Sequence, residues 1–176
     1  MPPRGHTIWE LVTVIAVLAV VATLATPDFG RLRASSAVTA GADQLFGALH
    51  FARSRAILRG VPTVVCLSQD GQFCVGRGVR SARGWIVFEN THAEFTPVRD
   101  TGEPILRHQQ IERPAALRAT RSAVTYWPTA RAGMTSTFEF CSTISGVRPR
   151  AVIVSQTGRP RLRIGPPRSA AAPCSP

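Results

Sequence analysis

The chain has 176 residues, a formal net charge of +11 and no lysine, so every basic residue is an arginine. That length allows one domain with a modest core beyond any targeting segment. A sequence pI near 11.5 points to a polyanion or an acidic surface as partner, although the arginine bias also reflects genome composition. Four cysteines, Cys66, Cys74, Cys141 and Cys174, suit an exported domain. They form no Cys-x-x-Cys pair and have no clustered histidines, which excludes a zinc site. Three disulfide pairings are open. The simplest joins Cys66 to Cys74 and Cys141 to Cys174, in an oxidising compartment.

In chain order, Arg4 and Gly5 precede a segment in which Glu10 is the one charged residue before Asp28. From Leu11 to Ala25 the residues are apolar or threonine. Counted from Ile8, this is long enough to cross most of a bilayer's hydrocarbon core as a helix. A carboxylate in such a run is costly and calls for a partner. An ordinary signal peptide cut near Thr23-Leu24-Ala25 is one reading. Against it, Glu10 stands where the apolar core should begin, and the basic region is a single arginine.

The segment resembles the type IV prepilin signal of pilins and pseudopilins. Gly5 matches the glycine after which prepilin peptidase cuts, and Glu10 matches the glutamate five residues further in. Thr7 suits the small or hydroxyl position, and His6 departs from the usual Phe. The resemblance implies cleavage after Gly5 and methylation of the new N-terminus at His6. It also implies inner-membrane insertion with Arg4 cytoplasmic, and assembly through pairing of Glu10 with a neighbouring subunit's N-terminal amine. A snorkelling interfacial Glu10 is the plainer alternative. The expected organisation is a leader at 1–5, a transmembrane and assembly helix at 6–27, an amphipathic helix at 28–60, a periplasmic β domain at 61–165 and a tail at 166–176.

Pro27 should bend or end the first helix. Residues 28–60 have helical texture, with Leu45, Leu49, Ala52 and Ala56 on one face and Phe46 beside them. Arg53, Arg55 and Arg59 suit the helix C-terminus. Gly60 and Pro62 stop it. Strands are expected at 63–67, 73–75, 84–89, 104–107, 116–119, 123–128, 137–141, 150–155 and 161–164, with a loop at 76–84 and a closing hairpin around 156–160. One helix followed by a run of strands is an α+β pattern: a long N-terminal helix packed on antiparallel sheet.

The spacing Cys66-x-x-x-Asp70-Gly71-x-x-Cys74, then Gly84-Trp85-Ile86-Val87-Phe88, then Ser155-x-x-Gly158-Arg159-x-Arg161 narrows the resemblance. It is similar to the FimT-like minor pilins and the related H-type pseudopilins of type II secretion.

No catalytic constellation is visible. His6, His50, His92 and His108 are scattered, no nucleophile elbow occurs, and no phosphate-binding glycine loop opens a helix. No enzyme activity or cofactor is expected. The candidate surface is the C-terminal region, which has no acidic residue after Glu139 and carries Arg148, Arg150, Arg159, Arg161, Arg163 and Arg168. On a strand, Arg159, Arg161 and Arg163 share one face about 6.6 Å apart, a spacing that suits successive phosphates. A charged edge strand that resists aggregation is the alternative. The resemblance implies a DNA-binding Gly-Arg-x-Arg motif at Gly158, Arg159 and Arg161, with Ser155 and Gln156 as neutral donors to phosphate. Binding should be non-specific and salt-dependent. Arg77, Arg80 and Arg83, in the loop after Cys74, are either a second patch or merely solvated loop charge, and the latter is the preferred reading. The expected partners are DNA, other pilins, prepilin peptidase and the inner membrane. A purely structural subunit of a pilus or type II secretion pseudopilus is the competing function.

Overall fold

A computed structural model describes residues 7–92, 98–129 and 132–165, apart from the side chains of residues 23–28. The chain is one long helix and two antiparallel sheets. Helix α1 (Ile8–Arg59) has 52 residues, or about 78 Å at 1.5 Å per residue. It starts with a capping box. The Thr7 hydroxyl accepts from the Glu10 N–H, and the Glu10 carboxylate accepts from the Thr7 N–H, both at 3.4 Å. It ends at Gly60, whose φ is 66°. Of the two outcomes expected at Pro27, a continuing helix and an end, the first occurs: α1 runs through this position.

The two halves of α1 differ. Every side chain of residues 8–22 is exposed. Among the described residues, no helix is long and apolar enough to cross a membrane. From Ala34 onward a stripe is buried: Ala34, Val38, Ala42, Leu45, Ala48, Leu49, Ala52 and Ala56. Their spacing of three and four is one helix face. The face expected from Leu45 to Ala56 therefore extends upstream through small residues, which let the helix approach the sheets.

Strands follow in the order β1 (Thr63–Ser68), β2 (Ser81–Ala82), β3 (Gly84–Glu89), β4 (Ile105–Gln110), β5 (Ala115–Ala119), β6 (Ala123–Tyr126), β7 (Ser136–Ser142), β8 (Arg150–Val154) and β9 (Pro160–Ile164). The smaller sheet has the order β4-β3-β1-β6 and the larger β2-β5-β7-β8-β9. Helix α1 packs on β7, β8, β9 and β5 of the larger sheet and on β1 of the smaller. The main core lies between them and includes Leu45, Leu49, Leu67, Leu117, Phe138, Phe140 and Val152. The Arg55 guanidinium meets the Glu89 carboxylate at 2.7 Å and ties α1 to the end of β3.

Two strand expectations are corrected. Residues 73–75 form no strand: Cys74 makes one isolated bridge to Ser68, and the Val75 N–H donates to the Leu67 carbonyl at 2.9 Å. The segment is held instead by the Cys66–Cys74 disulfide, Cα–Cα 5.6 Å, and by Asp70. The Asp70 carboxylate accepts from the N–H groups of Gln72 and Phe73 and from the Ser68 hydroxyl. Chiefly the Phe73 and Gln72 N–H groups hold its pKa below the usual carboxylate value. The expected loop at 76–84 contains the two-residue strand β2, which pairs with β5.

Candidate nucleic-acid interface

The β8–β9 hairpin carries the Gly-Arg-Pro-Arg sequence. The Gly158 N–H donates to the Ser155 carbonyl at 2.8 Å, closing a turn over the exposed Gln156 and Thr157. Gly158 itself has φ 73°. The turn lies in the connection between the paired Val154 and Pro160, and a side chain at Gly158 would be strained. The Ser155 and Thr157 hydroxyls are 2.8 Å apart and steady the tip.

Register sets the faces. Val152 opposes Leu162 and Val154 opposes Pro160; these residues point toward α1 and the core. Alternation then places Arg161 and Arg163 on the outer face, opposite Ile153 and Ala151. Arg159 and Arg161 are exposed and Arg163 is half-buried. Among the described residues, none of these three guanidinium groups makes an ion pair or hydrogen bond. Strand β9 is the edge of its sheet. The Gly165 N–H donates to the Pro149 carbonyl at 2.9 Å, so ladder alternation turns the Pro160 nitrogen outward, where no N–H is required.

One acid shares this outer face within the strands. Glu139 of β7 lies in a row between Arg118 of β5 and Ala151 of β8, with Arg163 beyond. Burial pushes the Glu139 carboxyl above its usual pKa, and Arg118 partly opposes that shift.

The structure gathers Gly158, Arg159, Arg161, Arg163 and Gln156 on one hairpin. Arg148 and Arg150 fall at its opposite end, since Arg150 opposes Ile164. Alternation also gives Arg150 the other face of the sheet. Arg168 and Cys174 lie outside the described residues, as do Gly5 and His6. Cys141 is disulfide-bonded. Glu10 is exposed and occupied locally by the capping box, a Thr-x-x-Glu signal that is legible in the sequence. Of the loop arginines, Arg77 and Arg80 face a cleft together with Arg121, a residue that the C-terminal charge pattern does not single out. Arg83 stands apart, its N–H bonded to Gln69.

Residues 41–158 match the family described as Type II transport protein GspH. Sequence comparison with curated proteins finds no match. Among solved structures, the fold is similar to the type IV minor pilin FimU of Pseudomonas aeruginosa, with a TM-score of 0.53 and 16% identity over 78% of this chain and 95% of that one. It is similar also to the minor pseudopilin EpsH from the type II secretion system of Vibrio cholerae, with a TM-score of 0.50 and 10% identity over 78% and 99%. The family match spans two thirds of the chain, from within the buried stripe of α1 through β8, so the chain belongs to the family of Type II transport protein GspH.

Proposed function

We propose that this minor pilin captures DNA non-specifically for uptake in natural transformation, through Gly158, Arg159, Arg161 and Arg163. The observation that carries this reading is the hairpin. A turn with a positive-φ glycine presents Arg159 and Arg161 to solvent, with Arg163 behind them. Among the described residues none of the three makes an ion pair, and a guanidinium is suited to bidentate phosphate contact. Backbone contacts of this kind carry no sequence information. A few of them bind weakly, and many copies along one fibre raise the effective affinity. The protein is cut after Gly5 by prepilin peptidase and methylated at His6. It is held in the inner membrane by the apolar start of α1, with the β domain in the periplasm, until it joins a fibre with other pilins. Gln156 at the turn tip adds a neutral donor.

The test is a mobility shift with the full chain in detergent micelles, at low and moderate salt. Binding that weakens steeply with salt is expected, together with its loss in the Arg159→Ala, Arg161→Ala double variant. Unchanged binding by that variant would sink the motif assignment. A second reading, a structural subunit without a nucleic-acid role, draws on the exposed apolar residues 8–22, which suit helix packing in a fibre. Absence of DNA binding by the wild type at low salt would favour it. Sequencing the mature N-terminus tests processing: a start at His6 supports the cut after Gly5, and a start near Thr26 defeats it.

A further inference from the structure

At the end of the larger sheet that carries the β8–β9 turn, the loop after Cys74 and the β5–β6 turn border an open cleft of about 580 Å³. Arg77, Arg80 and Arg121 line it beside Val79, Val98 and Met134, and among the described residues no acidic one lines it. All three arginines are exposed. Two ties fix its walls. The Ala119 N–H donates to the Arg80 carbonyl at 2.7 Å, and the Ser136 hydroxyl donates to the Arg121 carbonyl at 3.1 Å. The Arg121 guanidinium lies 3.5 Å from the Met134 sulfur, a weak acceptor that leaves the charge unneutralised.

The Arg121 wall of the cleft is the nearer to the turn, whereas Arg80, bonded to Ala119 beyond β5, lies four strand spacings, roughly 19 Å, from β9. Ser136 opposes Val154, and Val154 opposes Pro160. Two strand spacings separate Ser136 from Pro160, so the Arg121 backbone stands roughly 10–15 Å from the turn. A duplex advances about 3.4 Å per nucleotide of each strand, so this gap corresponds to about three or four nucleotides. A cleft of one charge sign with apolar walls also concentrates the local field and draws polyanions in.

We infer that the cleft continues the nucleic-acid path begun at the hairpin: a DNA backbone seated on Arg159 and Arg161 runs into the cleft, where Arg80 and Arg121 neutralise phosphates a few nucleotides further along. This rests on the DNA reading above. Arg83 is off this path.

The experiment measures anisotropy of a labelled duplex of about 20 bp with the full chain in detergent micelles, from roughly 25 to 200 mM salt, where each phosphate contact contributes about 0.9 to the slope of log K against log salt. The Arg80→Gln, Arg121→Gln variant should lower that slope by about one to two and weaken low-salt binding at least about fivefold, with an unchanged melting temperature. Arg83→Gln, which removes one charge elsewhere, should leave the slope at the wild-type value. A wild-type slope in the cleft variant, while Arg159→Ala with Arg161→Ala loses binding, overturns the cleft and leaves the hairpin reading intact. A loss in Arg83→Gln as large per charge as in the cleft variant reduces the effect to net charge and overturns the cleft as well. No binding by the wild type defeats the hairpin reading and the cleft together.

Discussion

The two sheets are both antiparallel and both meet α1, yet their outer faces have opposite fates. In the smaller sheet, β1 and β3 are buried on both sides. Val65, Leu67, Trp85 and Val87 belong to the main core, whereas Val64, Cys66, Ile86 and Phe88 form a second apolar layer with Cys74 packed against it. In the larger sheet, β7 alternates buried and half-buried residues. Its outer face carries Arg118, Glu139, Arg161 and Arg163. Continuous apolar runs such as Val64-Val65-Cys66-Leu67 go where two layers cover them, and alternating runs leave one face to water. The covered sheet holds the domain together, and the open one is free to meet a partner.

Five variants test that division, from the largest effect on stability to the smallest, with Ile153→Ala set beside the first as its outer-face counterpart. Phe88→Ala, fully buried in the second apolar layer, should cost about 3–5 kcal/mol in chemical denaturation. Ile153→Ala on the outer face of β8 should cost less than half as much, and equal losses would erase the distinction between the sheets. Cys66→Ser with Cys74→Ser opens a bridge of sequence separation 8 and should lower stability by about 2–3 kcal/mol on loop-closure grounds. A loss below 1 kcal/mol would mean that Asp70 and its hydrogen bonds hold the loop unaided. Arg159→Ala with Arg161→Ala should stay within about 0.5 kcal/mol of wild type while losing DNA binding, because both side chains are exposed and unpaired. A large stability loss would make the arginines structural. Glu139→Gln is the subtlest. The folded carboxyl has a raised pKa, so the folded state keeps a proton that the unfolded chain releases. Stability therefore falls as pH rises from the ordinary carboxylate value through the raised one. The glutamine variant should be more stable than wild type near neutrality, by no more than about 0.5 kcal/mol after solvent screening, and equal to it at pH below the ordinary value. The reverse order in thermal melts would show that Arg118 outweighs burial.

The helix face at Leu45, Leu49, Ala52 and Ala56, most of the strands and the Cys66–Cys74 pair were legible because each is a local pattern: a spacing, an alternation or a short loop. The 73–75 segment was misread because three residues beside a turn can be held by a bridge and an aspartate cap as well as by a ladder. The sequence left a continuing helix and an end both open at Pro27, because proline's cost is set by what surrounds the helix as well as by its own ring. Ala34, Val38 and Ala42 were overlooked because small residues give a weak apolar signal, although they pack closely once a sheet lies opposite. The GspH membership rests on the match at residues 41–158 and agrees with the likeness to minor pilins and H-type pseudopilins read from the sequence landmarks.

By itself the sequence determined the α+β class, the positive-φ turn at Gly158 and the shared face of Arg161 and Arg163, since a two-residue period follows from strand geometry alone; Arg159 falls in the turn before β9. Tertiary structure decided which arginines stand together. Arg148 and Arg150 are near the motif in sequence but lie at the far end of the hairpin, while Arg121 is remote in sequence and its backbone bonds Ser136, two strand spacings from Pro160. Strand pairing sets those distances, and pairing is a property of partners that no single segment encodes.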